Sequence, residues 1–348
     1  MILKIKHKEI GDKCPVFIVA ELSANHLQRF DIAVNTIKAI KESGADAVKF
    51  QTFTPDTITL NEDSKKFRIK LGSIWDGQLL YKLYKKAYMP WDWQPKLKEI
   101  AEKLGLICFS TPFDKTAVDF LEKIDAPAYK IASFEITDIP LIEYVASKNK
   151  PVMISTGIAS RFDIKEAVSA CRRMRNNKII LLKCASVYPT PLEDVNLRLI
   201  PKIEDDFRCI AGLSDHTLGI AVCAASVAMG AKVIEKHFIL DRKLGGLDAE
   251  FSLEPKEFKE MVMTVRGVEK ALGKASYGQT QKMKKGKELA RSLFVVEDIK
   301  AGEVFTEENI RSIRPGCGLH PGHLKDVLRG KAKKNISRGT PLAWNLIA

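Results

Sequence analysis

Two histidines stand at the ends of short apolar segments, where imidazole groups are candidates for metal binding. His216 follows the segment RCIAGLSD, and His237 follows KVIEK. Residues 218–230 between them are rich in alanine and end at a glycine, which is typical of a helix that connects two parallel strands. A right-handed crossover would place both imidazoles at the same edge of the sheet. There they could share one divalent metal, or each could cap its strand through hydrogen bonds.

Two lysines lie within apolar segments and are candidates for anion binding. Lys49 lies in AVKFQTF, and Lys130 lies in AYKIAS. Because an unpaired ammonium group is costly to bury, we interpret both lysines as facing a ligand anion. The alternative is an internal salt bridge from either lysine to Glu21 or Glu235.

Nearly every apolar segment ends in charged or hydroxyl-bearing side chains. In chain order these are Glu21, Ser23, His26, Lys49, Gln51, Ser110, Thr111, Lys130, Ser133, Ser155, Thr156, Ser186, Tyr188, Ser214 and His216. The segments carry neither a glycine-rich phosphate turn nor the nucleophile elbow of hydrolases. Hydroxyl groups and lysines that converge from several strands therefore indicate a cradle for phosphate and carboxylate groups.

The elements that must position these residues alternate regularly along the chain. The strand-like segments are VFIVAEL, AVKFQTF, ICFSTPF, AYKIAS, PVMISTG, IILLKCAS, RCIAGLSD and KVIEKHF. Helical patterns follow them near residues 31–43, 93–104, 115–123, 140–148, 163–174, 197–205, 218–229 and 255–272. Eight strands, each followed by a helix, predict an α/β fold of the (β/α)8 TIM barrel type. A doubly wound open sheet is the alternative, but AELSANH after the first strand lacks the glycine-rich turn which that fold uses.

One connection is far longer than the others. Residues 54–89 separate the second strand from its helix, and in a barrel they would lie on the catalytic face, where we expect a lid. Trp75, Tyr81, Tyr84 and Tyr88 in this connection could stack on a substrate or anchor it to the barrel rim.

The composition changes near residue 275. We assign residues 1–275 to the barrel, the polar residues 276–287 to a linker, and residues 288–348 to a small domain. This last part has short strand-like segments with Gly and Pro turns, which predicts a mostly β domain near the lower size limit for independent folding.

Charge and composition narrow the class of protein. The chain has 348 residues and a formal net charge of +13. Its basic residues are interleaved with acidic ones, as in IKAIKESGAD, so we expect anionic small substrates and no nucleic acid. No apolar run approaches the length of about 18 residues that a membrane span needs. The seven cysteines include no C-x-x-C pair, and we expect a cytoplasmic protein with reduced thiols and no membrane partner.

Nine ordered motifs resemble those of the sialic acid (nonulosonate) synthase family. They are AELSANH, KFQTFTPD, FSTPFD, YKIASFE, STGIA, YPTPLEDVNL, GLSDHTLG, VIEKHFILDR and RPGCGLHP. The resemblance covers nearly the whole chain and implies a phosphoenolpyruvate-using barrel followed by an antifreeze-protein-like (SAF) domain. It also implies a domain-swapped homodimer, in which the small domain lies over the barrel mouth of the partner.

Within this family, the sequence is most similar to the members that form pseudaminate. The similarity lies in IWDGQLLYKLYKKAYMPW and in the ASVYPT and GLHP variants. Members that form N-acetylneuraminate usually carry EIGxNHNG and an Asn before the I-Y-P-T step. Here Leu22-Ser23-Ala24 and Ser186 stand in the corresponding places. The expected sugar is therefore the open-chain form of 2,4-diacetamido-2,4,6-trideoxy-altrose, with N-acetylneuraminate or legionaminate synthesis as the alternative.

The resemblance also implies the roles of individual residues. Glu21, His216 and His237 would be catalytic, and the two histidines would hold Mn²⁺ or Mg²⁺. Phosphoenolpyruvate would contact Lys49, Thr111, Lys130, Ser133, Ser155, Ser186 and Ser214. The sugar would contact Gln51, Glu135, Tyr188, Asp248 and, from the small domain, Arg314. The implied reaction condenses the two substrates at a metal-activated aldehyde and releases phosphate by C–O cleavage.

Two other classes of function remain open at this point. A Schiff-base aldolase on the same fold could use Lys130 as its nucleophile, without a metal. A non-enzymatic protein could instead use the small domain as an ice- or glycan-binding module, although the barrel lysines and histidines would then have no purpose.

Overall fold

Two antiparallel strands, β1 (Ile2–Ile5) and β2 (Lys8–Gly11), precede an eight-stranded parallel barrel in this computed structural model, which describes residues 1–70 and 75–348. The barrel strands are β3 (Phe17–Glu21), β4 (Ala47–Thr52), β5 (Ile107–Pro112), β6 (Tyr129–Ile131), β7 (Val152–Ser155), β8 (Ile179–Cys184), β9 (Ile210–Asp215) and β10 (Val233–His237). Each strand pairs with its neighbour in the chain, and β10 pairs with β3 to close the barrel. The predicted TIM barrel is confirmed, and all eight predicted strands are present.

Helices cover the outside of the barrel. They are α1 (Phe30–Glu42), α2 (Pro55–Ile58), α3 (Leu80–Ala87), α4 (Gln94–Lys103), α5 (Lys115–Lys123), α6 (Ile139–Ala146), α7 (Arg161–Arg173), α8 (Leu199–Phe207), α9 (Ala221–Ala228) and α10 (Pro255–Leu272). All eight predicted helices are present, but α9 begins three residues later than predicted. The reason is that Thr217 donates its backbone N–H and hydroxyl to Asp215, which holds the chain in a turn before the helix. None of the helices in the described ranges combines the length and hydrophobicity that a membrane crossing requires.

The barrel interior changes from apolar to polar along each strand. Strand side chains alternate in direction, so every second residue faces inward. The inward series starts with an apolar cluster of Phe17, Val19, Ala47, Ile107, Phe109, Ala128, Met153, Ile180, Leu182, Ile210 and Val233. The same series continues toward the carboxyl ends of the strands as Glu21, Lys49, Gln51, Thr111, Lys130, Ser155, Cys184, Ser214, Glu235 and His237. The polar residues therefore occupy one end of the barrel, called here the mouth.

The N-terminal hairpin closes the opposite end. Ile5 and Ile10 are buried and belong to the apolar cluster of the barrel interior. The sequence analysis assigned no element to this segment because two four-residue strands with charged residues between them give only a weak period-two pattern.

The chain divides into two compact units, Met1–Gly273 and Lys274–Ala348. The second unit contains α11 (Gln281–Gly286), β11 (Ser292–Val295), β12 (Ile310–Ile313) and α12 (Leu324–Val327). The two strands are antiparallel, and the unit has its own apolar core, which includes Leu293, Phe305 and Val327. A short helix, α11, thus lies within the segment predicted as a linker.

The long connection predicted as a lid contains α2 and α3. Tyr84 packs its ring edge-on against Phe53, and Tyr81 donates a hydrogen bond to Asp56 at 3.1 Å. Tyr84 therefore anchors the connection to the residue that follows β4, and Tyr81 joins α3 to α2 within it. Residues 71–74 of the predicted lid lie outside the described residues.

The hairpin residue Ile10 should contribute strongly to stability, because its side chain is fully buried in the barrel interior. We expect Ile10→Ala to lower the free energy of unfolding by about 2–5 kcal/mol, from lost burial and the cavity left behind. Ile2→Ala is the control, since Ile2 in the same hairpin is 57% exposed, and it should cost less than about 0.5 kcal/mol. Urea unfolding of both variants measures the difference, and equal losses would contradict a plugging role for the hairpin.

Candidate active site

Four buried charged side chains form a network in the mouth. The Lys49 ammonium lies 2.6 Å from Glu21 Oε2 and 3.6 Å from Glu235 Oε1. The Lys130 ammonium lies 3.6 Å from the same Glu235 oxygen. Each of these side chains is at most 4% exposed. The salt bridges weighed as the alternative for both lysines are therefore present, and Glu235 joins the two lysines.

This network leaves an excess of positive charge for a ligand. Burial raises the pKa of Glu21 to about 7, an effect that the charge of Lys49 offsets only in part. For Glu235 burial also favours the neutral form, but the charges of Lys130 and Lys49 outweigh it and lower its pKa. Near neutral pH, one fully charged carboxylate and one half-protonated carboxyl group thus face two lysines. An anionic ligand would balance the remaining positive charge of the lysines.

Burial and, to a smaller extent, the charge of Lys49 favour the neutral form of Lys130. Desolvation lowers the pKa of Lys130, and the neighbouring Glu235 carboxylate opposes this only in part. An anionic ligand beside it would favour the charged ammonium form.

Hydroxyl groups surround the two lysines. Thr111 Oγ1 accepts a hydrogen bond from Lys49 at 3.1 Å, and Ser214 donates to Glu235 at 3.0 Å. Ser155 Oγ is buried and has no hydrogen-bond partner among the described residues. An unsatisfied buried hydroxyl is costly, so this group is available to a ligand.

Gly157 allows two serines to approach each other. A Cβ atom at this position would lie 2.1 Å from Ser186 Oγ and 2.7 Å from Ser133 Oγ. The Gly157 backbone N–H donates to Ser133 Oγ at 3.3 Å. The loop after β7 therefore brings the hydroxyls that follow β6 and β8 together, as the sequence analysis expected for a phosphate cradle.

The two imidazoles are neighbours at the end of β9 and β10. The ring centroids of His216 and His237 lie 5.2 Å apart, and Phe251 packs edge-on against both rings. His216 Nδ1 lies 3.2 Å from the Ala185 carbonyl oxygen, an acceptor that places the ring proton on Nδ1 and leaves Nε2 free to bind a metal.

The histidine pair fits a divalent metal. Burial, together with the charges of His216 and Lys49, holds the pKa of His237 well below its usual value, and the neutral form is the one that ligates. His237 Nδ1 is buried without a hydrogen bond among the described residues. Within residues 1–70 and 75–348, no group of three or more His, Cys, Asp or Glu side chains is arranged to hold a metal. The described chain thus offers two ligands and leaves the other positions open.

A second set of side chains adjoins Glu21 and the imidazoles. Gln51 donates to Glu21 Oε1 and to Ser23 Oγ, both at 3.0 Å, and Ser23 donates to Asp248. Asp248 Oδ2 lies 3.7 Å from His237 Nδ1. These contacts place the predicted sugar contacts Gln51 and Asp248 beside the predicted catalytic residues.

An aromatic group lines the mouth near the imidazoles. The ring centroids of Tyr188 and His216 lie 4.4 Å apart, and those of Trp75 and Tyr188 lie 5.6 Å apart. The indole N–H of Trp75 donates to the Leu247 carbonyl at 3.1 Å. Trp75 of the lid therefore contacts Tyr188, one of the predicted sugar contacts.

Two predicted residues lie apart from this group. Glu135 follows β6, where its carboxyl group is near Lys130 and Tyr84. Arg314 is exposed in the second unit, directly after β12.

Two residues of the mouth were absent from the predicted site. Glu235 was considered only as an alternative partner for a lysine, although the period-two series through His237 places it inward. Cys184 was interpreted as a core residue, yet its Sγ lies 3.8 Å from His216 Nδ1 and 3.5 Å from Ser133 Oγ. The same alternation along β8 could have identified it.

Comparisons with known proteins identify the family of the chain. The NeuB family model matches residues 36–277, and the SAF domain model matches residues 290–348. The chain is 45% identical to the pseudaminic acid synthase of Campylobacter jejuni, over 94% of this chain and 95% of that protein. It is 46% identical to the pseudaminic acid synthase of Helicobacter pylori, over 94% and 97%. The crystal structure of an N-acetylneuraminic acid synthetase from Leptospira borgpetersenii, in complex with citrate, has 31% identity and a TM-score of 0.74, over 82% of this chain and 95% of that one.

Glu135 should make stability depend on pH. Burial raises the pKa of Glu135 to about 7 from 4.5 in water, so between these values the folded protein holds a proton that the unfolded chain has released. Stability from this group is therefore lost as the pH rises through that window. Glu135→Gln lacks this loss. When the pH is raised from about 5 to about 8, the unfolding free energy of the variant minus that of wild type should therefore increase by roughly 2–3 kcal/mol.

Urea unfolding at the two pH values measures this gain. Glu193→Gln is the control, because Glu193 is exposed and its replacement should change little at either pH. A difference between Glu135→Gln and wild type that is the same at both pH values would contradict the assignment.

Proposed function

The chain belongs to the NeuB family, and from this premise we propose that it condenses phosphoenolpyruvate with an open-chain amino sugar and releases phosphate. The proposed sugar is 2,4-diacetamido-2,4,6-trideoxy-altrose, and the nine-carbon product is pseudaminate. Both relatives described above carry the name pseudaminic acid synthase, and they align with nearly the whole chain. N-acetylneuraminate or legionaminate synthesis by the same mechanism is the second candidate, because similar proteins are named as synthases of those acids.

One observation carries this proposal. The two buried lysines share Glu235, and the imidazole pair lies in the same barrel mouth. Cationic groups for a trianionic substrate and an imidazole pair for a metal would thus meet at the carboxyl ends of the strands, where barrel enzymes place their chemistry.

Phosphoenolpyruvate would bind at the lysine side of the mouth. Its phosphate and carboxylate groups need several donors, and charge-assisted hydrogen bonds from ammonium groups are the strongest of these. The donors that we assign to it are Lys49, Thr111, Lys130, Ser133, Ser155, Ser186 and Ser214.

His216 and His237 would hold Mn²⁺ or Mg²⁺, which as a Lewis acid would polarise the sugar aldehyde. The protein contributes the ring orientation, through the contact of His216 with the Ala185 carbonyl and the packing of Phe251 on both rings. Gln51, Glu135, Tyr188 and Asp248 would contact the rest of the sugar, as the family resemblance implies.

The bond changes follow from the two substrates. Carbon 3 of phosphoenolpyruvate forms a bond to the aldehyde carbon, the aldehyde oxygen becomes a hydroxyl group, and carbon 2 becomes cationic. Water adds to carbon 2 and gives up a proton, after which the bond from carbon 2 to the phosphate oxygen breaks. The carbon 2 hydroxyl loses its proton to the departing phosphate and becomes the ketone.

We assign Glu21 to the chemistry at carbon 2. Its carboxylate can stabilise the cation or accept the proton of the attacking water, and that proton balances the one taken up by the aldehyde oxygen. A pKa of about 7 suits a group that both accepts and returns a proton near neutral pH. Gln51 holds one oxygen of Glu21 in place at 3.0 Å.

A homodimer would complete the site. Apolar side chains that follow the carboxyl ends of the strands are exposed, among them Phe134 (52%), Ile158 (50%), Phe162 (68%) and Leu218 (62%). Exposed apolar residues around a mouth favour a covering protein surface. We assign this role to the second unit of the partner subunit, with Arg314 of the partner subunit reaching the sugar.

The free cysteines support a reducing location. All seven cysteines are free thiols, and five of them are buried. Free thiols are typical of the cytoplasm, where we place the enzyme in this proposal.

Phosphate release tests the function. Purified protein is incubated with phosphoenolpyruvate and, in separate reactions, with the amino sugars that would give pseudaminate, legionaminate or N-acetylneuraminate, with Mn²⁺ or with a chelator. We expect the fastest phosphate release with the trideoxy altrose derivative and loss of release with the chelator. Chelator-resistant activity, together with borohydride trapping of pyruvate on Lys130, would favour the Schiff-base aldolase instead.

Arg314 should act on the sugar and not on phosphoenolpyruvate. We expect Arg314→Ala to lower kcat/KM for the sugar by about 10- to 100-fold, the loss that removing one charged hydrogen bond causes, with the KM for phosphoenolpyruvate nearly unchanged. Arg311→Ala is the control, because Arg311 is also exposed and lies in β12. Wild-type kinetics in Arg314→Ala would exclude the assigned role.

A further inference from the structure

A buried ion pair lies on the outer face of the barrel wall, directly behind the two imidazoles. Asp215 precedes His216 in β9, and Lys236 precedes His237 in β10. The two residues are paired across the parallel strands, and Lys236 Nζ lies 2.6 Å from Asp215 Oδ2. Because strand side chains alternate, this pair faces the helices while both imidazoles face the mouth.

The ion pair is buried, and both of its side chains make further hydrogen bonds. Lys236 is 0% exposed and Asp215 is 2% exposed. Asp215 accepts hydrogen bonds from the Thr217 backbone N–H at 3.0 Å, the Thr217 hydroxyl at 3.1 Å and the Cys223 thiol at 3.3 Å. Lys236 also donates to the Thr217 carbonyl oxygen.

These bonds hold the backbone on both sides of His216. Asp215 and Thr217 flank this histidine, and Lys236 is bonded to both of them. Lys236 is itself the residue before His237. One side chain therefore ties together the two backbone segments from which the imidazoles project.

The placement of the His237 ring depends in part on the position of its backbone. Its Nδ1 atom is buried and has no hydrogen-bond partner within the described residues. Metal-binding histidines are usually oriented by a hydrogen bond on the nitrogen that does not bind the metal. For His237, the edge-on packing of Phe251 and the position of the strand end together place the ring.

Stability alone is a poor reason for this arrangement. A buried ion pair often contributes no more to stability than apolar residues of the same volume would. The surrounding layer offers such packing, since neighbours such as Cys223 and Val227 in α9 belong to an apolar cluster.

We propose that Lys236 and Asp215 are positioning residues that set the spacing of His216 and His237, and through it the affinity of the mouth for a divalent metal. The inference rests on the proposed function, because it requires that the two imidazoles bind the metal. It adds a pair of residues outside the mouth on which that binding depends.

The test measures Mn²⁺ binding directly, by the electron paramagnetic resonance signal of free Mn²⁺ in titrations of metal-stripped protein. Lys236→Met replaces the ammonium group by an apolar side chain of similar length. We expect its Kd for Mn²⁺ to rise by about 10- to 100-fold, the usual effect of losing a group that orients metal ligands. Turnover should recover when Mn²⁺ is raised in proportion, and the KM for phosphoenolpyruvate at saturating Mn²⁺ should stay near the wild-type value.

Arg266→Met is the matched control. Arg266 in α10 pairs with Asp46, which precedes β4, at 3.2 Å. That ion pair also joins two elements, but at the apolar end of the barrel. Its loss should lower the melting temperature and leave the Kd for Mn²⁺ within about twofold of wild type, the scatter expected for a group outside the ligand sphere.

A second variant covers the case in which Lys236→Met does not fold. Asp215→Asn with Lys236→Met removes both charges, so no buried charge remains unpaired, and the double variant should fold and still bind Mn²⁺ weakly. A wild-type Kd in either folded variant would overturn the inference. If wild-type protein itself fails to bind Mn²⁺, the proposed metal site is wrong, which is a separate result.

Discussion

The structure depends on placing two ammonium groups inside a closed barrel. Lys49 and Lys130 are almost completely buried, and a buried charge is tolerated only when it is paired. Glu235 balances both, and Glu21 balances one of them. Because burial raises the pKa of Glu21, the network holds more positive than negative charge near neutral pH. A substrate with phosphate and carboxylate groups would supply the missing negative charge.

The apolar half of the barrel makes this electrostatic arrangement effective. Inward side chains below the mouth are apolar, and Ile5 and Ile10 of the hairpin close the far end. Water is thereby excluded from below, so charges in the mouth interact strongly with one another. The same exclusion explains why desolvation is the main cause of the raised pKa values of Glu21 and Glu135.

Opposite faces of the barrel wall carry two different kinds of polar group. Inside the mouth, Glu235 Oε2, Ser155 Oγ and His237 Nδ1 are buried without hydrogen bonds among the described residues. Outside, Asp215 and Lys236 have several hydrogen bonds each. Unsatisfied groups suit a surface that binds ligands, whereas saturated groups suit one that only holds position. In β9 and β10, the residues that face the mouth are therefore suited to ligand binding, and the residues between them, which face outward, hold the strand ends in position.

The sequence by itself determined the barrel, the order of its strands and helices, and the end at which the polar residues collect. It could do so because period-two and helical patterns depend on neighbouring residues, and because parallel strands bring their carboxyl ends together. Tertiary structure alone decided which partners meet. Glu235 is shared by Lys49 and Lys130, and Lys236 reaches the backbone beside His216, since such contacts depend on strand register and side-chain direction in the closed barrel. The hairpin, too, was recognisable only by its burial, because its role comes from the barrel end that it fills.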